Sequence, residues 1–347
     1  MKTDWKAFLD DAGAEFEADR VIHFGNPRRE QEVALSGLVF CDLSHLSVIA
    51  VHGADAESFL QSQFSNDISQ VTDTSTLLNA YCTPKGRMLG LMRVFRQGET
   101  WYLRLPEDTA EAVMQRLRMY VMRADVTIED VSDNFLRIGI SGEHAAEELG
   151  TTLNAVPAEA DQVTHTADIT LLHVPGVQPR FEAYISAHEA ARKLWDTLNV
   201  RGAPVGESAW RLLEILAGLP TVFAATSELF VPQMANLQLV NGVSFKKGCY
   251  PGQEIVARMQ YLGTLKRRMY LGRIATDEPA FPGGELFTEA DSEQVVGRLV
   301  DAQPHPDGGQ AALAVIQITA AEASDLHLGS SEGAAFTLGT LPYSFAS

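Results

Sequence analysis

The chain has 347 residues, 46% of them hydrophobic and 21% charged, enough apolar side chain for a large core and, by length, for two or three folding units. Lysine and arginine total 27 against 45 for aspartate and glutamate, a formal net charge of -18, so the surrounding field repels polyanions and disfavours an extended nucleic-acid groove. Cys41, Cys82 and Cys249 lie far apart in sequence, form neither a disulfide framework nor a CxxC motif, and fit a reducing, cytosolic setting. Acids among the first residues argue against a secretory leader, and no segment approaches the roughly 20 apolar residues that span a bilayer.

Trp5, Phe8, Leu9, Ala12 and Phe16 recur at helical spacing and predict an amphipathic helix over 5–20. Residues 37–52 read as two strands joined by a turn at 42–47; Gly53-Ala54-Asp55 then caps a helix over 56–63 that buries Phe59 and Leu60. Residues 79–82 and 89–95 predict a hairpin about Thr83-Pro84-Lys85-Gly86. A strand over 101–105 follows, then a helix over 109–120 with Ala112, Val113, Leu117 and Tyr120 inward, then a strand over 135–141. The stretch 150–167, rich in Ala, Thr and Asp, reads as a loose connection. Residues 180–185 and 188–198 repeat strand then helix, and 209–216 begin a helix that Gly218 and Pro220 end. After Leu265 short alternating runs between Pro and Gly clusters predict a terminal all-β unit, a small barrel. Strands and helices mix without regular alternation, so the fold class is α+β, with expected domains at 1–264 and 265–347.

The most informative stretch is Lys246-Lys247-Gly248-Cys249-Tyr250-Pro251-Gly252-Gln253-Glu254, followed by Ile255-Val256-Ala257-Arg258. Gly248 and Pro251-Gly252 permit a sharp bend, and a helix is expected from Gln253 onward. Cys249 would then lie just before a helix N-terminus, where the dipole and the cations Lys246, Lys247 and Arg258 favour thiolate while Glu254 opposes it. It reads equally as a small hydrophobe in a tight turn. The Lys-Gly pair lacks Walker spacing, so nucleotide triphosphate binding is not supported. His23, His45, His52 and His173 are scattered, and no metal site is expected.

These residues resemble the KGCY.GQE signature of the YgfZ family. The similarity extends through Phe230-Val231-Pro232-Gln233-Met234-Ala235-Asn236-Leu237 before the motif and Lys266-Arg267-Arg268 after it. Asp42-Leu43-Ser44, residues 51–56, Phe59-Leu60-Gln61 and Ser65-Asn66-Asp67 resemble the glycine-cleavage T-protein superfamily more widely, and Leu341-Pro342-Tyr343-Ser344 resembles the family's ending. The resemblance implies a T-protein-like body of intertwined ferredoxin-like units plus a C-terminal β-barrel, with tetrahydrofolate in a central opening. It implies folate contacts from Trp210 and from Leu46, which stands near the place of a second family tryptophan, and from Gln233, Asn236, Tyr250, Gln253 and Glu254. Cys249 becomes the functional thiol, attended by Lys247 and Arg258. Lys246, Lys247, Arg258, Lys266, Arg267 and Arg268 form a basic island able to hold the carboxylates of a glutamylated folate.

The T-protein places an aspartate after the hairpin glycine to handle protons, whereas residues 86–92 contain no acid. The family glutamate falls at Leu216, with Glu214 close by. The implied role is therefore accessory: assembly or repair of iron-sulfur clusters on client proteins in the cytoplasm, supporting tRNA modification indirectly, with no direct contact to nucleic acid or membrane. The alternatives are a folate-dependent aminomethyltransferase or demethylase acting on a small amine, and a folate carrier in which Cys249 is structural.

Overall fold

The computed structural model describes residues 1–289, 294–323 and 325–345. Its helices are α1 (Thr3–Asp11), α2 (Pro27–Ser36), α3 (Ala56–Gln63), α4 (Glu107–Met119), α5 (Ala145–Thr152), α6 (His188–Leu198), α7 (Glu207–Leu216), α8 (Gln253–Tyr261) and α9 (Ile318–Ala323). Among the described residues, a six-stranded sheet, a five-stranded sheet, a two-stranded hairpin and a barrel complete the expected α+β fold with a closed C-terminal barrel.

Among the described residues, the first sheet runs in the order Val163–His165, Ile169–Val174, Arg180–Ile185, Leu136–Ser141, Val39–Asp42, Ala203–Val205. Its pairs are antiparallel except the last, where Ala203 meets Val39 in parallel. Side chains alternate across the strand Val39–Asp42, as the two-residue period requires. Phe40 faces a core built by Trp5, Leu9, Leu149, Leu194 and Trp195 of α1, α5 and α6, its ring 4.7 Å from Trp195. Val39 and Cys41 face the other way, toward Ala209, Trp210 and Leu213 of α7. The second sheet runs Leu77–Cys82, Met88–Gln97, Thr100–Pro106, Leu46–His52, Thr127–Asp130, and α3 and α4 cover it through Phe59, Leu60, Val113 and Leu117. The strands expected within 37–52 both form, but they join different sheets: the turn between them carries the chain from one unit to the other.

The sheets meet across a mixed layer. Val48 and Phe95 of the second pack on Leu172, Val174 and Tyr184 of the first. Beside them Arg104 forms a two-pronged ion pair with Glu182, its Nε donating at 3.1 Å, and the Tyr184 hydroxyl donates to the same carboxylate at 2.8 Å. Two ends of one guanidinium on one buried carboxylate fix the relative position of the sheets more tightly than apolar contact alone.

The barrel closes through the strands Arg267–Ile274, Gln310–Gln317, Gly297–Pro304, Glu285–Thr288, Leu326–Leu328 and Ala334–Leu338, the last pairing back to the first. Alanines at 302, 312 and 314 keep its interior narrow enough to fill with side chains, while Ala311 on the same strand as the last two faces outward onto α7 and α8.

Three local expectations are corrected. The helix expected over 5–20 stops at Asp11, because the chain turns at Gly13 with φ 91 and returns as a hairpin of Glu15–Glu17 and Arg20–His23. Ala112 on α4 and Tyr120 just past its end are exposed, while Ala110 and Met114 take the buried positions. The supposedly loose stretch holds the end of α5 and the edge strand Val163–His165.

Candidate functional site

A cavity of about 860 Å³ opens where the three units meet, and α7 forms one wall of it. At 100° per residue, Glu207, Arg211 and Glu214 fall on one stripe of α7, and this stripe faces the cavity while Trp210 and Leu213 pack into the sheet. Leu46, His45 and Asp108 contribute from the second sheet's side, Phe223 and Ala225 from the segment after α7, and Phe281 from the barrel.

The charges on this wall are cross-braced. Arg211 donates to both oxygens of Asp301, at 3.1 and 2.5 Å, tying α7 to the barrel, and also to Glu207 at 3.2 Å. Arg20 reaches Glu207 from the N-terminal hairpin at 3.5 Å. Burial works against the charge of Glu207, but His45, Arg211 and Arg20 outweigh it, and its carboxyl is held below the usual range. Burial raises Asp301 despite Arg211, and lowers His45 despite the neighbouring carboxylates, so the imidazole is neutral near pH 7. His45 is buried and its Nε2 has no hydrogen-bond partner among the described residues. The wall thus offers carboxylate acceptors, a neutral imidazole and an apolar floor, the arrangement that orients a flat heteroaromatic ligand.

The conspicuous motif lies elsewhere. Cys249 is exposed, on the segment leading to Gly252, which caps α8 with φ 85. A Cβ at Gly252 would come within 2.5 Å of the Thr83 carbonyl oxygen and 2.6 Å of the Gly86 Cα, so only glycine lets the loop seat against the hairpin turn. Below the thiol, Lys247 turns inward: its ammonium donates to the carbonyls of Gln61, Phe64 and Asn66 at 2.6, 2.5 and 3.0 Å and lies 5.3 Å from the centre of the buried Tyr250 ring. These carbonyls end α3 and continue beyond it, where a cation suits the negative end of the helix. Gln253 Nε2 donates to the Lys247 carbonyl at 3.4 Å.

Of the residues expected to hold folate, Leu46 lies on the cavity wall. Trp210 is fully buried, its ring against Gly139, where an added Cβ would come within 2.6 Å of the indole, and Arg180 stacks over it at 4.6 Å. Gln233 donates to the Val256 carbonyl at 2.6 Å, and Asn236, in the left-handed region at φ 58, donates to the Met269 carbonyl at 2.9 Å. Both tie the segment before the motif to α8 and the barrel. Tyr250 belongs to the Cys249 loop and Gln253 and Glu254 to the first turn of α8, with Glu254 exposed; none is on the cavity wall. Arg258 is exposed in the last turn of α8, and the Lys247 ammonium is committed to the carbonyls at and beyond the end of α3. Of the basic island, Arg268 stacks on Phe345 at 4.2 Å, and Arg267 donates to the Val295 carbonyl at 3.5 Å. Arg20, Glu207 and Arg211 went unnoticed in the sequence; their available signal was the polar stripe 207, 211, 214 on an otherwise apolar helix.

Among the described residues, no helix is long and apolar enough to cross a membrane, and no group of three or more His, Cys, Asp or Glu could hold a metal ion.

Fold, interlocked sheets and central cavity define a protein of the T-protein type. The GCVT N-terminal domain model matches residues 12–247. The crystal structure of the glycine cleavage system aminomethyltransferase T from Bartonella henselae superposes with a TM-score of 0.78 at 17% identity, covering 97% of this chain and 96% of that one. The chain is 31% identical over 304 residues to the tRNA-modifying protein YgfZ of Colwellia psychrerythraea, 87% of this chain and 92% of the relative. To that of Escherichia coli O157:H7 it is 34% identical over 245 residues, 71% of this chain and 74% of the relative. The chain belongs to the YgfZ family of the glycine-cleavage T-protein superfamily.

Proposed function

We propose that this protein binds a reduced folate in the central cavity and serves as an accessory factor for iron-sulfur proteins, supporting tRNA modification through them. The observation that carries the proposal is an exposed thiol on a loop anchored from beneath by Lys247 and Gly252, within a family whose curated members are named tRNA-modifying proteins. A loop held so firmly does not need Cys249 for its packing, which leaves the sulfur available to a macromolecular client.

The cavity suits tetrahydrofolate on its own chemistry. The carboxylates of Glu207 and Glu214 can accept from the amino and ring N–H groups of a pterin, and the unpartnered His45 Nε2 can complete the edge. Leu46, Phe223 and Phe281 provide apolar surface for the rings, and Arg20 can meet the glutamyl carboxylates at the rim. When bound, tetrahydrofolate supplies a one-carbon acceptor. The chain's own residues bind and orient it; residues 86–92 offer no carboxylate for aminomethyl transfer, which ranks that alternative second. A single thiolate cannot complete a four-thiolate cluster shell, so any cluster is cargo shared with the client.

In a bacterium lacking its own relative, the wild-type chain is expected to restore the activity of an iron-sulfur tRNA-modifying enzyme, and a Cys249→Ala chain is expected to fold normally but fail. Full restoration by the alanine variant would remove the thiol from the function.

A further inference from the structure

On the opposite face of α7 a second cavity, of about 310 Å³, is lined by Leu213 and Leu216 of that helix, by Leu35, Leu271 and Pro342, and by Ser141, Gln178 and Arg180. Its apolar walls are ordinary, but its polar atoms are not. Ser141 Oγ, Gln178 Oε1 and Arg180 Nε are each buried without a hydrogen-bond partner among the described residues. Ser141 and Arg180 are 0% and 1% exposed. An unmade hydrogen bond at such a buried group is costly, and folded proteins keep few of them. Three such groups line one otherwise largely aliphatic cavity.

Arg180 is held ready by everything around it. Its guanidinium stacks on Trp210 at 4.6 Å, one Nη donates to the Pro175 carbonyl at 3.3 Å, and the other meets Glu214 at 3.5 Å. Glu214 also faces Arg104 at 3.9 Å, so Arg180 shares its carboxylate. Gln178 donates to the Leu35 carbonyl at 2.8 Å, which leaves its own oxygen as the acceptor of the site.

We propose that this cavity is a second ligand site, separate from the folate cavity, and that it takes a small aliphatic monocarboxylate. The carboxylate accepts from Arg180 Nε–H and the Ser141 hydroxyl, while the chain lies against Leu35, Leu213, Leu216 and Leu271. Gln178 Oε1 can accept from a hydroxyl or amino substituent next to the carboxylate.

Hexanoate added to the full-length protein and followed by saturation-transfer NMR and calorimetry is the test, with folding of each variant checked by circular dichroism. Because substitution of the buried Arg180 risks the fold, the variants are Ser141→Ala, which removes one donor, and Leu216→Phe, which fills the cavity. Saturable binding is expected in the wild type, weakened about tenfold by Ser141→Ala, equivalent to one hydrogen bond of about 1.4 kcal/mol, and abolished by Leu216→Phe. Hexanol should not compete. The proposal is overturned if hexanoate shows no saturable binding up to about 10 mM, the mark of a cavity filled by ordered water, or if both variants bind it as the wild type does. Competition by hexanol as strong as by hexanoate would equally overturn the carboxylate assignment.

Discussion

Replacing Lys247 with methionine is expected to lower the unfolding free energy by about 3 kcal/mol, an effect as large as a major core truncation. Methionine keeps the apolar stem but removes the ammonium that donates to the carbonyls of Gln61, Phe64 and Asn66. Helix α3 ends there, and its terminal carbonyls have few other donors. Burial pulls the Lys247 pKa down to about 8 against the pull of Asp67, so at pH 7 the group still carries the proton its acceptors require. Urea unfolding measures the loss. Limited proteolysis should also cut the 243–252 segment faster, since the loop that displays Cys249 loses its anchor. An unchanged midpoint together with unchanged cleavage would mean that Lys247 holds nothing.

Glu182→Ala should cost about 3–5 kcal/mol, because it strands the Arg104 guanidinium in the layer between the two sheets. Glu182 is fully buried, with the Tyr184 hydroxyl on the same carboxylate. Burial opposes its charge, yet Arg104, with help from Arg93 and Tyr184, holds its carboxyl below the usual 4.5. A carboxyl lowered by folding contributes stability that is complete above its unfolded value and is lost as pH falls through the folded value. The acid limb of the wild type, below about pH 4.5, should therefore be steep in urea midpoints, and shallower in Glu182→Gln, which has no proton to take up. Equal slopes would assign acid sensitivity to other carboxylates.

Much of the architecture was legible because local signals carry it. Gly53-Ala54-Asp55 announces α3, and the Pro and Gly clusters after Leu265 announce the barrel strands. The site was less legible because its parts are brought together only by the fold. Arg20, Glu207 and Asp301 belong to three different elements, and in sequence the polar stripe of α7 resembles a solvated face. Direction was hidden too: Lys247 sits in a basic run, yet its ammonium points inward to α3. Trp210 stands on α7 beside the cavity residues, but 100° per residue turns it into the sheet, under Gly139. The motif is conspicuous for its composition, whereas the cavity is made of ordinary residues well placed.

That separation of cavity and thiol is tested most directly by the equilibrium affinity of 5-formyltetrahydrofolate for the wild-type protein, Cys249→Ala and Ala225→Trp. Ala225 is exposed on the cavity wall, so a tryptophan there fills the opening without disturbing a core. Wild-type affinity in Cys249→Ala and at least about a tenfold loss in Ala225→Trp, about 1.4 kcal/mol, is the predicted result. Loss of binding in Cys249→Ala, or undiminished binding in Ala225→Trp, would contradict it.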